Sequence, residues 1–168
     1  MTFSVRTVNL KQDMKLCMQF RKDAWQVSHG HLEGFSASET REWFQFLAEK
    51  APEGFLMVLY QGEIIGQLEF RSRLQADSGK IEGYINLFYL VPHWRGKGMG
   101  QKLHDYTLSQ LANNSCTQAF LRYIPGNHRA EAFYLKNGWA KEGEPTEQRG
   151  QLMKKDLAPS RYYKLQAL

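Results

Sequence analysis

A glycine-rich segment in the second half of the chain carries the residues best suited to bind an anion. Residues 91–100 contain glycine at every second position near their end, at Gly96, Gly98 and Gly100. Alternate glycines let the backbone turn tightly and come close to a ligand. A helical pattern follows, and the first N–H groups of a helix attract phosphate. Arg95 and Lys97 add positive charge. The segment predicts phosphate binding, with a purely structural turn as the alternative.

Two widespread phosphate motifs do not fit this segment. The dinucleotide fingerprint GxGxxG would require glycine at Gln101 or Leu103. The P-loop would require Ser or Thr directly after Gly96 and Lys97, where the chain has Gly98. The glycine loop by itself therefore does not identify its ligand.

The predicted neighbours of the loop are a strand and a helix. Residues 84–91 are almost continuously apolar, which is typical of a strand buried on both faces. Residues 96–111 place Met99, Leu103 and Tyr106 on one helical face. The chain therefore has the order strand, glycine loop, helix.

A second predicted helix carries a hydroxyl group on its apolar face. It covers residues 129–137, and Gly138 is placed to end it. Tyr134 lies on the apolar face, where it could be a core aromatic residue with a satisfied hydroxyl. Asn127 precedes the helix and is a suitable N-cap.

The rest of the chain also interleaves strands and helices. The first half is predicted to contain a strand within 2–10, a helix over 13–25 and a loop over 27–35. A second helix then begins at Ser36 and Glu39, which have capping-box spacing. A strand pair at 55–60 and 64–70, a turn at 75–80, and strands at 119–124 and 151–157 complete the prediction. Residues 159–168 have no assignment. The pattern predicts a mixed α/β fold, as one domain over residues 1–168, with a sheet flanked by helices.

The amino-acid composition indicates to which broad classes of protein the chain can belong. The 168 residues are 42% hydrophobic and 23% charged, as expected of a globular protein. The net charge of +5 favours anionic partners, but the basic residues are scattered, so we predict no nucleic-acid partner. Cys17 and Cys116 show no metal-like spacing and fit a reduced, cytoplasmic chain. The first ten residues lack a long apolar run, which argues against a signal peptide and a membrane span.

Two sequence blocks together resemble the GNAT superfamily of N-acetyltransferases. Arg95-x-x-Gly98-x-Gly100, after a strand ending Leu90-Val91-Pro92, is similar to that family's pyrophosphate loop for acetyl-CoA. The later block is Asn127-x-x-Ala130-x-x-Phe133-Tyr134-x-Lys136-x-Gly138-Trp139, where the family more often has Phe at the last position. A weaker match is Leu152-Met153-x-Lys155-x-Leu157.

The resemblance implies a GNAT-like, mixed but mostly antiparallel sheet of about six to seven strands, acetyl-CoA as cosubstrate and no metal. A primary amine would attack the thioester directly, without a covalent enzyme intermediate, in a monomer or homodimer. The implied cofactor-binding residues are Tyr89, Leu90, Val91, Arg95, Gly96, Lys97, Gly98, Met99, Gly100, Gln101, Asn127 and Tyr134. Backbone N–H groups from Lys97 to Gln101 would hold the pyrophosphate, and the backbone of Tyr89 to Val91 would pair with the pantetheine arm.

The resemblance also implies catalytic roles. The Leu90 amide would polarise the thioester carbonyl, and Tyr134 would donate a proton to the departing thiolate. Glu69, predicted late in a strand, is the first candidate for the general base. Other candidates are Glu33, His29, His31 and Glu82, while Asn86 stands where some relatives have a catalytic carboxylate. Each can also be an ordinary surface residue. The residues expected to shape or border the acceptor pocket are Trp25, His29, His31, Glu33, Trp43 and Phe44.

Two alternatives remain at this stage. The chain could be a CoA-binding or sensor module of the same fold that transfers nothing, although Tyr134 is retained. It could also be a nucleic-acid-binding domain, which would need a basic stripe or an aromatic stacking platform. The acceptor amine stays open, because the fold alone does not determine it.

Overall fold

The computed structural model of the chain describes residues 2–158. Its strands are β1 (Ser4–Thr7), β2 (Phe55–Tyr60), β3 (Glu63–Gln75), β4 (Ile81–Leu90), β5 (Gln118–Tyr123), β6 (Ala140–Thr146) and β7 (Gly150–Asp156). Its α-helices are α1 (Leu10–His29), α2 (Ala37–Lys50), α3 (Met99–Asn113) and α4 (His128–Lys136). The predicted mixed α/β fold is confirmed. Among the described residues, no helix is both long and apolar enough to cross a membrane.

Short polar side chains begin the helices. Asn9 accepts a hydrogen bond from the Lys11 N–H at the start of α1, and Ser36 accepts one from the Glu39 N–H at the start of α2. At the end of α1, Gly30 adopts a left-handed conformation with φ of 79°, which glycine tolerates without a Cβ clash. The predicted helix start at Ser36 is therefore confirmed.

The seven strands follow the order β1-β2-β3-β4-β5-β7-β6 in the sheet. Strand β4 pairs with β5 in parallel, whereas β1 with β2, β2 with β3, β5 with β7 and β6 with β7 are antiparallel. A two-residue turn joins β2 to β3, with positive φ at Gln61 (50°) and Gly62 (85°). Such turns match the twist of antiparallel strands, so the predicted hairpin is confirmed.

The first of two compact units comprises residues 2–70 and 87–103. Its core forms where α1 and α2 cover one face of β2 and β4, and includes Phe20, Phe44, Phe55 and Tyr89. Gly66 in β3 has no room for a side chain, because a Cβ there would lie 2.3 Å from the Tyr89 carbonyl oxygen. This glycine therefore allows β3 and β4 to approach closely.

The second unit comprises residues 71–86 and 104–158. Gly83 faces the buried side chain of Leu111, and a Cβ there would lie 2.6 Å from a Leu111 methyl carbon. Trp139 is buried and its indole N–H donates to Nε2 of His104 at 2.9 Å. Burial lowers the pKa of His104, which keeps its ring neutral and able to accept this bond. The indole N–H of Trp139, which stands where the family more often has phenylalanine, therefore has a hydrogen-bond acceptor in the core.

Several sequence predictions need correction. Helix α1 continues to His29, so the predicted loop over 27–35 begins only at Gly30. Strand β4 alternates between buried and half-exposed residues and is not buried on both faces. Hydrophobic periodicity did not predict strand β6, because all seven of its residues are exposed and show no apolar alternation. Residues 159–168 lie outside the described part, and one domain over 1–168 stays a prediction.

Candidate active site

The glycine loop lies in the first unit, between the end of β4 and the start of α3. A short 3-10 turn at Pro92–Trp94 follows Leu90, and α3 begins at Met99. Gly96 and Gly98 both have positive φ, 74° and 81°, which strains any residue with a Cβ. A helix N-terminus presents backbone N–H groups and the positive end of the helix dipole, and here the Lys102 N–H donates to the Gly98 carbonyl oxygen at 3.4 Å. The loop thus supplies the N–H groups and dipole that phosphate requires.

The surface of this loop leaves room for a ligand. A Cβ placed on Gly98 or Gly100 would meet no atom within 4 Å. Lys97 is exposed, and its ammonium nitrogen lies 5.8 Å from the centre of the Trp94 ring. Glycine at these positions is therefore not required by protein packing, and the open space would let a ligand come close to the backbone.

Arg95 is held by the protein and is not a free surface cation. Its Nε donates to the Leu90 carbonyl oxygen at 2.7 Å, and its Nη2 donates to Asp23 in α1. The Tyr89 hydroxyl donates to the same Asp23 oxygen at 2.7 Å. Burial and this hydrogen bond raise the pKa of Tyr89, so its hydroxyl stays protonated. Asp23 therefore joins α1 to the end of β4 and to the loop.

The role of Asp23 gives a first prediction. We expect Asp23→Asn to weaken acetyl-CoA binding about three- to tenfold with little change in kcat, because a charge-assisted hydrogen bond that positions the loop becomes a neutral one. Binding is measured by calorimetry and kcat by release of free CoA thiol. Asp77→Asn, at an exposed turn residue, is the control and should bind normally. Unchanged affinity in Asp23→Asn would mean that Arg95 keeps its position without this carboxylate.

Backbone hydrogen bonds within the protein reduce the number of groups that could pair with the pantetheine arm. The Val91 N–H donates to the Ile65 carbonyl oxygen at 2.9 Å, and the Val91 carbonyl accepts from the Trp94 N–H at 3.0 Å. Val91 therefore has no N–H to offer a ligand. A pantetheine arm that pairs with this strand depends on the backbone of Tyr89 and Leu90.

Glu69 lies at the centre of a buried polar cluster in the first unit. Its Oε1 accepts from Arg21 Nε at 3.1 Å and from Gln67 Nε2 at 2.9 Å. Its Oε2 accepts from Trp43 Nε1 at 2.7 Å and from Arg21 Nη2. Glu69 is fully buried, and both of its oxygens are already occupied by donors. It could take a proton only by weakening one of these bonds.

Gln67 adds an unsatisfied group to this cluster. Its amide nitrogen faces Glu69, which leaves its Oε1 buried and without a hydrogen-bond partner among the described residues. A buried acceptor without a donor costs about 1–3 kcal/mol. Such a group commonly marks a position that a ligand or an ordered water satisfies. Sequence analysis missed Asp23, Arg21 and Gln67, because single polar residues in amphipathic elements carry no signal of their partners.

The residues expected around the acceptor pocket differ in exposure, and His29 lies in a helix and not in the predicted loop. His29 is the last residue of α1, stacks on Trp25 at 4.0 Å and contacts the Trp25 carbonyl oxygen through Nδ1. His31 and Glu33 are exposed. Phe44 is fully buried, with its ring centre 5.5 Å from that of Phe55, so it does not border a pocket and could only shape one from the core.

Asn127 and Tyr134 belong to the second unit. Asn127 is the N-cap of α4, and its side chain accepts from the Ala130 N–H at 3.2 Å. The Tyr134 hydroxyl makes no hydrogen bond to any described residue, and burial raises its pKa to about 12. A phenol with that pKa is fully protonated at neutral pH and can donate its proton. The idea that its hydroxyl is satisfied within a core is therefore not supported.

The remaining polar residues and the two cysteines have no contacts among the described residues that indicate a catalytic role. Asn86 accepts from Arg71 Nε at 3.4 Å, and Glu82 is a half-buried residue of β4. Burial raises the pKa of Cys17 to about 12 and also raises that of Cys116, so both thiols are unreactive at neutral pH. No group of three potential metal ligands occurs among the described residues.

The chain belongs to the acetyltransferase (GNAT) family, whose model matches residues 15–139. This confirms the family resemblance and supports acyl transfer as the class of reaction. By sequence, no curated protein is a significant match.

Solved structures agree with this assignment. A protein from Pyrococcus horikoshii OT3 has a TM-score of 0.70 at 23% identity, with 94% of this chain and 99% of that chain covered. The PaiA N-acetyltransferase from Thermoplasma acidophilum, in complex with coenzyme A, has a TM-score of 0.64 at 18% identity, covering 93% and 99%. Naa20 from Chaetomium thermophilum, in complex with a bisubstrate analogue, has a TM-score of 0.68 at 18% identity, covering 95% and 89%. At these identities the likeness shows the fold.

Proposed function

We propose that the protein is an N-acetyltransferase that moves the acetyl group of acetyl-CoA to a primary amine by direct attack in a ternary complex. The observation that carries this proposal is the glycine loop, open to a ligand at Gly98 and Gly100 and located at the start of α3. Family membership supports acyl transfer, and the coenzyme A complex of the PaiA relative supports the cosubstrate.

In the proposed complex the chain binds acetyl-CoA mainly through backbone groups. The N–H groups from Lys97 to Gln101 bind the pyrophosphate, because helix N-termini stabilise negative charge. The backbone of Leu90 contacts the pantetheine arm or the thioester carbonyl, and Asn127 adds a side-chain amide while it caps α4. Arg95 acts through Asp23 and the Leu90 carbonyl, and so shapes the loop without touching phosphate.

The proposed reaction needs three proton transfers: two away from the amine and one to the departing thiolate. The amine nitrogen attacks the thioester carbon and forms the new C–N bond, and the C–S bond then breaks. Tyr134 gives its proton to the departing thiolate. The amine must lose one proton before attack and one after it, and a base or a water molecule receives them.

We propose Glu69 as the group that receives the amine proton, directly or through water, with Gln67 Oε1 accepting an N–H from the bound amine. The buried, unpartnered oxygen of Gln67 beside Glu69 supports this position for the acceptor. Both oxygens of Glu69 already accept hydrogen bonds from protein groups, so a water molecule between the amine and Glu69 is the simpler path for the proton.

This assignment gives a second prediction. Glu69→Gln should lower kcat about 100-fold or more, the size typical of lost general-base catalysis. Raising the pH should recover part of the loss, because more of the amine is then neutral without help. Glu33→Gln is the control and should leave kcat unchanged. A loss of kcat in Glu33→Gln but not in Glu69→Gln would indicate that Glu33 is the general base. Thermal unfolding of each variant separates loss of fold from loss of catalysis.

The test of the function itself is calorimetry with acetyl-CoA, free CoA and NAD at moderate salt. We expect tight binding of both CoA species and no response to NAD, followed by CoA release when a library of primary amines is screened. Binding of CoA without turnover on any amine would favour the non-catalytic CoA-binding module. No binding of either CoA species would contradict the proposal. A cytoplasmic location and a monomeric or dimeric state stay predictions.

A further inference from the structure

A groove of about 590 Å³ lies in the first unit, on the surface formed by α1 and α2. Four basic side chains line it, and two methionines add an apolar surface between them. These six residues are Lys11, Lys15, Lys22, Arg41, Met14 and Met18. Two glutamines complete the lining, and it contains no acidic residue.

The four cations of this basic groove have no internal counterion. Lys11, Lys15, Lys22 and Arg41 are all exposed, and none forms an ion pair with another described residue. By contrast, the neighbouring Arg21 and Arg6 are paired, with Glu69 and Asp13. Clustered like charges repel one another, so an anionic partner at this surface would be bound favourably.

The dimensions favour an extended partner over a small anion. Lys11 and Lys22 are on the same helix, and 11 residues of helix span roughly 16 Å. Where the basic groove reaches the first turn of α1, the N–H groups of residues 11–13 already donate to Asn9, and further along α1 the N–H groups are used within the helix. It therefore lacks the N–H cradle that holds a phosphate group. Its cations are mostly lysines, which act as separate point charges along a line.

The chemistry of the lining favours an acidic protein segment over RNA. Single-stranded nucleic acid is commonly held by aromatic side chains on which bases stack, and no aromatic residue lines the basic groove. Met14 and Met18 are half-buried, and their flexible thioether chains adapt well to varied apolar side chains. Apolar residues flanked by acidic ones are the complement of this surface.

We propose that the basic groove binds an acidic segment of a partner protein. Its carboxylates pair with Lys11, Lys15, Lys22 and Arg41, and its apolar side chains pack on Met14 and Met18. This interaction surface is independent of the proposed acetyl transfer and does not require it.

The test uses a labelled peptide and two double variants of the full chain. The peptide contains glutamate with leucine at every fourth position and is about 12 residues long, enough to span the basic groove as a helix. Binding is followed by fluorescence anisotropy at low and at physiological salt. Lys15→Glu/Lys22→Glu changes the groove. Lys50→Glu/Lys80→Glu changes the net charge equally at two exposed lysines outside the lining.

We expect the groove variant to bind the peptide at least about tenfold more weakly than the wild type, and the control variant to lose less than about twofold, because local charge reversal acts on specific pairs. Replacing the leucines by serine should weaken binding further. An equal loss in both variants would overturn the proposal, since the attraction would then reflect net charge alone. Tighter binding of oligouridine than of the peptide, lost in the groove variant, would overturn it in favour of RNA.

Discussion

Gly98→Val is expected to abolish acetyl-CoA binding, with a loss of affinity of at least about 100-fold. Gly98 has φ of 81°, a conformation that costs a β-branched residue about 1–2 kcal/mol or more. The valine side chain would also occupy the open face where the pyrophosphate is proposed to lie, and each lost hydrogen bond to a charged group is worth about 1.5–3 kcal/mol. Calorimetry with acetyl-CoA measures the result.

The control for this variant separates strain from ligand approach. Gly79→Val has the same backbone strain, with φ of 78° and nothing within 4 Å of a Cβ, but it lies in the turn between β3 and β4. It should lose similar stability in urea unfolding and keep its affinity for acetyl-CoA. Wild-type affinity in Gly98→Val would count heavily against the glycine loop as the cofactor site.

Tyr134→Phe is expected to lower kcat by about 100-fold or more and to change acetyl-CoA affinity less than about threefold, because a general acid typically contributes 10²–10⁴-fold to the rate. The hydroxyl has no partner among the described residues, so its removal should cost little stability. Tyr123→Phe is a matched control, since the Tyr123 hydroxyl is committed to Glu131 at 2.6 Å. Equal turnover in Tyr134→Phe would remove Tyr134 from the mechanism.

The pH dependence of kcat provides a separate check on Tyr134. Burial raises its folded-state pKa to about 12, above the ordinary value of 10.0. The protonated, donating form therefore persists as pH rises through neutrality and is lost only near pH 12. We expect no loss of kcat from Tyr134 between about pH 7 and 10. A basic limb near pH 8 that disappears in Tyr134→Phe would contradict this role.

Much of the fold could be predicted from sequence because its signals are local. The start of α2 depends on the Ser36 side chain and an N–H three residues away, whereas α1 begins at Leu10, three residues before the predicted start. The β2–β3 hairpin depends on two residues in its turn. Strand β6 could not be predicted in this way, because its exposed residues carry no apolar alternation and it pairs with β7 through its backbone.

The sequence by itself determined the glycine loop, its place between a strand and a helix, and the family to which the chain belongs. It did so because a positive φ, a close ligand approach and a helix start each restrict residue type locally. The tertiary structure alone decided what the polar side chains do. Arg95 meets Asp23 across 72 positions of the chain, and Glu69 meets Arg21 across 48. No periodicity records such pairs, since they form only when α1 packs on the sheet. That packing links Arg95 to α1 and places Glu69, the first candidate for the general base, at the centre of a buried cluster.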